Sequence, residues 1–124
     1  MNFNYLEKSI PKHVQKTLHT LNSYESMSDA ALCGGALRDL YLGGVVNDWD
    51  IFCVVRSGDR YTIDNIFYLL LSEGFDVQHS HGNGYVEGSD GFIADFRRGD
   101  INFILYSSLS LASHQLLIVM DFPK

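Results

Sequence analysis

The chain has few cysteines, few prolines and few basic residues, and it lacks any long apolar run. Its 124 residues include two Cys, two Pro and nine Lys or Arg, against fifteen Asp or Glu, so the formal net charge is −6. This shortage of basic residues argues against bulk binding of nucleic acid, which depends on clustered Lys and Arg that neutralise phosphates. No stretch approaches the roughly 18–20 apolar residues of a membrane-spanning helix, and we therefore expect no membrane partner.

The composition and the two cysteines indicate one compact cytoplasmic domain. Hydrophobic residues make up 46% of the chain and charged residues 19%, which suits a single domain over residues 1–124. We expect an N-terminal helix and linker over residues 1–29 and the core over residues 30–124. Cys33 and Cys53 lack close metal-ligand spacing and are expected to be reduced, partly buried thiols; a disulfide between neighbouring strands is the alternative. The first residues lack the apolar core of a secretion signal, which favours a cytoplasmic location.

Two acidic residues near the middle of the chain carry the clearest chemical signal. Asp48 and Asp50 precede the apolar run IFCVV and are expected to lie on one strand. Residues at i and i+2 of a strand project from the same face, roughly 6.5–7 Å apart at their backbone positions. Mg²⁺ is commonly held by one or two carboxylates together with substrate phosphates. The spacing therefore predicts a site for Mg²⁺, or for Mn²⁺ in its place.

A glycine-rich turn upstream predicts an anion site beside this metal site. An apolar strand ends at Cys33, Gly34 and Gly35 form a turn, and a short helix is expected over residues 36–42. Glycine permits a close approach of the backbone to a ligand, and a helix N-terminus presents N–H groups to an anion. A metal site next to a phosphate site is what a nucleoside triphosphate requires.

The residues of this region resemble a known signature, GG-x-x-RD-x-x-LG followed by D-x-D. The matching residues are Gly34, Gly35, Arg38, Asp39, Leu42, Gly43, Asp48 and Asp50. The signature resembles the head domain of CCA-adding enzymes and bacterial-type poly(A) polymerases, which belong to the DNA polymerase β-like nucleotidyltransferase superfamily. The motif covers about a sixth of the chain. The resemblance implies a minimal nucleotidyltransferase fold of the α/β (α+β) class, with a short mixed sheet, the two-aspartate strand at its centre and helices mainly on one side.

The resemblance also implies roles for individual residues. Asp48 and Asp50 would hold the metal ions, and Arg38 and Asp39 would help to bind the nucleotide with the glycine turn. The planar guanidinium of Arg38 suits phosphate oxygens. The structural alternative for Arg38 and Asp39 is an ion pair on the helix surface.

A third carboxylate on a later strand is expected in such a site, and its identity is open. The natural position in the strand INFIL holds Asn102, whose amide oxygen can coordinate Mg²⁺ but brings no charge and does not accept a proton at neutral pH. Asp100 shares the strand parity of Asn102 and is our first choice. Asp95 on the preceding strand is the alternative.

These features predict a Mg²⁺-dependent transfer of a nucleoside monophosphate from a nucleoside triphosphate to a hydroxyl of a protein or RNA. The length compares with antitoxin-type and small phage-encoded nucleotidyltransferases, and we do not expect full CCA addition. The alternatives are a catalytically weak or inactive protein that regulates or inhibits a partner, and a nucleotide sensor. A P-loop and a G-x-G-x-x-G motif are absent from the sequence.

The remaining segments are predicted from their periodicity. We expect an N-terminal helix with Val14, Leu18 and Leu21 on its apolar face, a helix over residues 61–72 that Gly74 ends, and a half-buried strand in FDVQHS. The sequence RRGD is expected to be a hairpin tip with exposed charge, and the apolar residues 108–122 are expected to form a helix packed on the sheet.

Overall fold

The computed structural model describes residues 9–33, 35–55, 60–80, 92–107 and 119–120. The helices are α1 (Lys12–Asn22), α2 (Gly35–Tyr41) and α3 (Arg60–Ser72), with a short 3₁₀ turn at Glu25–Met27. The strands are β1 (Ala31–Cys33), β2 (Trp49–Val55), β3 (Asp76–Ser80), β4 (Phe92–Arg98), β5 (Ile101–Ser107) and β6 (Val119–Met120). The prediction of an α/β fold with a short mixed sheet is confirmed. Within the described ranges, no helix has the length and apolar character to cross a membrane.

The sheet is mixed, with the strand order β3-β4-β5-β2-β1-β6. Strands β2 and β5 are parallel, whereas β1–β2, β1–β6, β3–β4 and β4–β5 are antiparallel pairs. The strand that carries Asp50 thus lies between β1 and β5. As a result, residues at the start of β2 have backbone neighbours on both sides.

The helices cover one face of the sheet. In β2, Trp49, Ile51, Cys53 and Val55 are buried and the intervening residues are half-buried. Apolar side chains of all three helices belong to the same buried cluster as these four: Val14, Leu18 and Leu21 of α1, Ala36 and Leu37 of α2, and Ile63, Ile66 and Leu70 of α3. Because side chains alternate along a strand, Asp50 lies on the face opposite this core.

The ends of α1 and α3 follow from local sequence. Pro11 precedes the first turn of α1, where its missing N–H is no loss, and its carbonyl accepts hydrogen bonds from the next turn. At the end of α3, Gly74 has a φ of 88° and its N–H donates to Leu71, while the Phe75 N–H donates to Leu70. This pair of bonds is the Schellman motif, which requires a left-handed residue. The prediction that Gly74 ends the helix is confirmed.

Two segment predictions need correction. The helix predicted over residues 108–122 is wrong at Val119–Met120, which form β6 and pair with Cys33 and Leu32 of β1; the rest of that segment lies outside the described residues. A short apolar run fits either a buried helix or a strand. Here Val119 and Met120 form a strand because the edge of β1 offers unpaired backbone N–H and C=O groups. The strand predicted in FDVQHS is present as β3, but its five residues are all exposed instead of half-buried, because β3 is an edge strand.

The predicted hairpin tip RRGD is shorter than expected. Arg97 and Arg98 are the last residues of β4, and only Gly99 and Asp100 form the turn. Both arginines are half-buried. Arg98 donates to the carbonyl of Glu73 at 2.6 Å and to the Thr17 hydroxyl at 2.6 Å, so it ties β4 to two helices. Consecutive strand residues face opposite ways, and Arg97 therefore faces the side of the sheet that carries Asp50.

Candidate functional site

Asp48 and Asp50 lie at the start of β2, on either side of a core residue. Trp49 between them is 4% exposed and belongs to the helix-covered core. Asp50 is half-buried within the strand, and Asp48 directly precedes the strand with its side chain 47% exposed. The sequence prediction that both acids start this strand holds for Asp50, and Asp48 lies one residue before its first paired position.

A chain of hydrogen bonds joins the two aspartates through two residues of the neighbouring strands. Arg97 of β4 donates from Nη2 to Asp48 Oδ1 at 2.7 Å and from Nη1 to Asn102 Oδ1 at 3.0 Å. Asn102 of β5 in turn donates from Nδ2 to Asp50 Oδ1 at 3.1 Å. We call these four residues, Asp48, Arg97, Asn102 and Asp50, the aspartate network. The network lies on the sheet face opposite the helices.

The register of the sheet accounts for this network. Asn102 is the direct partner of Asp50 in the parallel β2–β5 pair and of Arg97 in the antiparallel β4–β5 pair. Directly opposed residues on neighbouring strands face the same side at about 4.5–5.5 Å between Cβ atoms, which is within reach of a hydrogen bond between polar side chains.

Of the three residues considered for the third position, Asn102 is the one that contacts Asp50. The Asp100 carboxylate instead lies 2.8 Å from Nε2 of His13 in α1. The backbone carbonyl of Asp100 accepts a hydrogen bond from the Trp49 N–H. Helix α1 packs on the opposite face from the aspartate network. The expected parity of Asp100 with Asn102 fails because Asp100 lies in a turn after Gly99, whose φ of 61° breaks the strand alternation.

Asp95 also has a partner of its own. It lies opposite His79 in the β3–β4 pair, and His79 Nδ1 is 3.0 Å from Asp95 Oδ1. The His79 side chain is 77% exposed, so this contact is at the surface of the edge strands.

The connection from β1 to α2 begins next to Asp50. Cys33, the last residue of β1, is the register partner of Asp50, so the β1–α2 connection starts beside this carboxylate. Gly34 lies outside the described residues, and Gly35 is the first residue of α2. The Arg38 side chain reaches back to the first residue of its helix: its Nη2 lies 3.4 Å from the position that a Cβ of residue 35 would occupy.

Arg38 and Asp39 contact each other on the surface of α2. Arg38 Nε is 3.6 Å from Asp39 Oδ1, and the two side chains are 63% and 44% exposed. This is the ion pair that the sequence offered as the structural alternative to a nucleotide-binding role. An exposed pair of this kind stabilises a fold by about 0–1 kcal/mol, so neither side chain is held firmly in place.

Arg97 is the member of the network that the sequence analysis missed. The sequence RRGD predicts that Arg97 lies at a hairpin tip, whereas Arg97 is half-buried and bonded to Asp48 and Asn102. One signal was available: in FIADFRR, Asp95 and Arg97 alternate with Ala94 and Phe96, as polar residues on one face of a strand do.

The two cysteines are free and buried, which confirms the prediction of reduced thiols. Burial raises the pKa of the Cys33 thiol far above its ordinary value, and the neighbouring Asp50 carboxylate adds to this effect. Burial also raises the pKa of the Cys53 thiol, together with Asp29, whose carboxylate accepts a hydrogen bond from Cys53 Sγ at 3.7 Å. Cys33 is therefore a neutral neighbour of Asp50 at physiological pH.

The network contains two carboxylates that could contribute oxygen ligands to a cation. Carboxylate oxygens of Asp48 and Asp50 are the ligands that Mg²⁺ prefers. In the part of the chain that the structure describes, no group of three or more His, Cys, Asp or Glu side chains is arranged to hold a metal ion. Two carboxylates and one guanidinium leave the network with one net negative charge. The network is thus acidic enough for a divalent cation, but it has only two charged ligands.

Comparisons of the chain with protein-family models, with curated proteins and with solved structures found no match. The proposed function therefore depends on the residues of the GG-x-x-RD-x-x-LG and D-x-D motifs and on the geometry of the aspartate network.

Proposed function

We propose that this protein is a Mg²⁺-dependent nucleotidyltransferase, which transfers a nucleoside monophosphate from a nucleoside triphosphate to a hydroxyl of a protein or RNA. The observation that carries the proposal is the position of Asp50. Its register partners are Cys33 on one side, where the glycine turn begins, and Asn102 on the other. An acidic pair next to a glycine turn is the arrangement that a metal–triphosphate ligand needs.

Each residue of the site has a role that its chemistry suits. Asp48 and Asp50 would hold Mg²⁺, which neutralises triphosphate charge and aligns the phosphates. Gly34 and Gly35 would allow the phosphates to approach the backbone. Arg38, which reaches back to Gly35, would contact phosphate oxygens, and Asp39 would help to organise the nucleotide-binding site, as the resemblance implies.

Arg97 would add a positive charge next to the metal ligand Asp48. Its guanidinium is 2.7 Å from Asp48 and is anchored by Asn102. In the reaction, the acceptor oxygen forms a bond to the α-phosphorus, the bond from that phosphorus to the bridging oxygen breaks, pyrophosphate leaves and the hydroxyl proton is lost to water. Transfer of this kind depends mainly on positioning and charge stabilisation. Arg97 would supply both, because Asp48 and Asn102 hold its guanidinium in place.

The test is incorporation of label from each of the four α-³²P-labelled nucleoside triphosphates into a cell lysate, with purified protein and Mg²⁺. We expect one or more acceptor bands with the wild-type protein and none with the Asp48→Asn/Asp50→Asn variant. The Glu25→Gln/Asp76→Asn variant is the matched control, because it removes the same number of negative charges from two exposed positions. Equal labelling by the Asp48→Asn/Asp50→Asn variant would refute the proposal.

A nucleotide-binding protein without transfer activity is the second candidate, and Asn102 is the observation that favours it. An amide at this position does not accept the proton of an acceptor hydroxyl. Such a protein would act as a nucleotide sensor or as a regulator of a partner. Calorimetry with Mg²⁺ and each nucleoside triphosphate would then show binding that the Asp48→Asn/Asp50→Asn variant loses, while no acceptor is labelled.

A further inference from the structure

We infer that Arg97 and Asn102 restrict the site to one divalent cation, with the Arg97 guanidinium in the place of a second. The inference rests on the proposed function, since it concerns the same nucleotide site. It is based on the contacts of the aspartate network, on the orientation of the Asn102 amide and on the charge of the site.

The Arg97 guanidinium spans the acidic pair. Its two terminal nitrogens donate to different residues, Asp48 at 2.7 Å and Asn102 at 3.0 Å. These three residues come from three different segments of the sheet: β4, β5 and the residue before β2. A cation shared between Asp48 and the third position would have to occupy the same space as this guanidinium.

The orientation of Asn102 opposes a second metal ion. Its Nδ2 donates to Asp50 and its Oδ1 accepts from Arg97. Reversing the amide would bring Oδ1 against the Asp50 carboxylate and Nδ2 against the guanidinium, and both contacts are repulsive. With Arg97 in place, the one oxygen that Asn102 offers a metal lies 3.0 Å from a guanidinium nitrogen, whose positive charge would repel a second metal ion there.

The charge of the site is also balanced by one cation. In a two-metal site, three carboxylates and two divalent ions carry one net positive charge. Here two carboxylates, one guanidinium and one divalent ion carry the same net charge. A second divalent ion would place like charges side by side at a site that has no third acidic ligand among the described residues.

Native mass spectrometry with Mn²⁺ and each of the four α,β-methylene nucleoside triphosphates tests this inference. The wild-type complex is expected to hold one Mn²⁺ per protein and nucleotide. The Arg97→Gln/Asn102→Asp variant, which removes the guanidinium and restores a third carboxylate, is expected to hold two. Lys16→Gln/Asn65→Asp is the matched control, because it makes the same two charge changes at exposed positions of α1 and α3; it is expected to hold one.

Two Mn²⁺ ions in the wild-type complex, or one in the Arg97→Gln/Asn102→Asp variant, would overturn the inference and leave the proposed function intact. Wild-type protein that binds none of the four nucleotides with Mn²⁺ would overturn the proposed function itself. Arg97→Gln alone gives a second measurement for the case in which the Arg97→Gln/Asn102→Asp variant does not fold. Without the guanidinium on Asp48, Mn²⁺ affinity of the nucleotide-free protein, measured by electron paramagnetic resonance, should rise about tenfold. Unchanged affinity would contradict the role of Arg97.

Discussion

Asn102 and Asp50 are direct partners in the parallel pair β2–β5, and the Asn102 amide donates a 3.1 Å hydrogen bond to the Asp50 carboxylate. An amide therefore lies where a third carboxylate would share a cation with Asp50. In the inference above, this contact and the Arg97 guanidinium together limit the acidic pair to one divalent cation.

The first prediction concerns this amide. Asn102→Asp changes neither size nor register, and it supplies an oxygen that accepts a proton from an acceptor hydroxyl. We expect nucleotidyl transfer, measured as label incorporated per minute, to rise at least about tenfold, since a positioned general base typically contributes 10²–10⁴. Asn65→Asp, which adds the same charge at an exposed position of α3, is the control for surface charge. A rate equal to that of the wild-type protein would mean that this position does not handle the proton.

The second prediction separates Asp100 from the site. Its carboxylate contacts His13 on α1, and the two side chains are 41% and 55% exposed. We expect Asp100→Asn to change the rate of label transfer less than about twofold, and the free energy of unfolding by no more than about 1 kcal/mol, as for an exposed ion pair. A loss of activity as large as that of Asp50→Asn would show that Asp100 acts in the reaction.

The third prediction concerns Arg98, the neighbour of Arg97 that faces the helices. It donates to the Glu73 carbonyl and the Thr17 hydroxyl, and its guanidinium carbon lies 4.7 Å from the centre of the Phe75 ring. We expect Arg98→Gln to lower the free energy of unfolding in urea by about 2 kcal/mol, because two partly buried hydrogen bonds to a charged donor are lost. Arg98→Lys should not restore both bonds, because a single ammonium lacks the fork of the guanidinium. Lys16→Gln, an exposed change nearby, should cost less than about 0.5 kcal/mol.

The fourth prediction tests the end of α3. Gly74 has a φ of 88°, which any residue with a Cβ adopts only with strain. Gly74→Ala should lower the free energy of unfolding by about 1 kcal/mol. Ser72→Ala changes an exposed residue of the same helix end, where the hydroxyl donates to Leu69, and should have a smaller effect. Equal stability of wild type and Gly74→Ala would mean that the left-handed residue is not needed there.

The fifth prediction follows from the buried cysteines. Folding raises the thiol pKa of Cys33 and of Cys53 above the ordinary value of 9.0. Above pH 9 the unfolded chain therefore loses thiol protons that the folded protein keeps, and stability falls as the pH rises. At pH 10 the loss should be about 1.4 kcal/mol for each cysteine. Urea unfolding at pH 8 and pH 10 measures it.

The Cys33→Ala/Cys53→Ala variant is the control for this pH dependence. It should be less stable than the wild-type protein at pH 8, because both thiols are buried, but its stability should fall less between pH 8 and pH 10. The same fall in both proteins would assign the pH dependence to other groups. The Tyr24 hydroxyl would be the next group to examine, because its hydrogen bond to Glu73 raises its pKa.

The periodicity of the sequence was sufficient for the elements that bury an amphipathic face. Val14, Leu18 and Leu21 predicted α1, and Gly74 predicted the end of α3, because such signals lie within a few neighbouring residues. Periodicity was insufficient for Val119–Met120, where an apolar run fits a helix or a strand and the open edge of β1 decided between them.

The sequence by itself determined the composition of the acidic site: Asp48 and Asp50 flank a core tryptophan at the start of a strand, and a glycine turn precedes them. Only the tertiary structure decided their partners, because the register of β4, β5 and β2 brings Arg97 and Asn102 to them and the turn at Gly99 directs Asp100 to α1. Strand register depends on contacts between segments that are distant in sequence, and local pattern does not specify it.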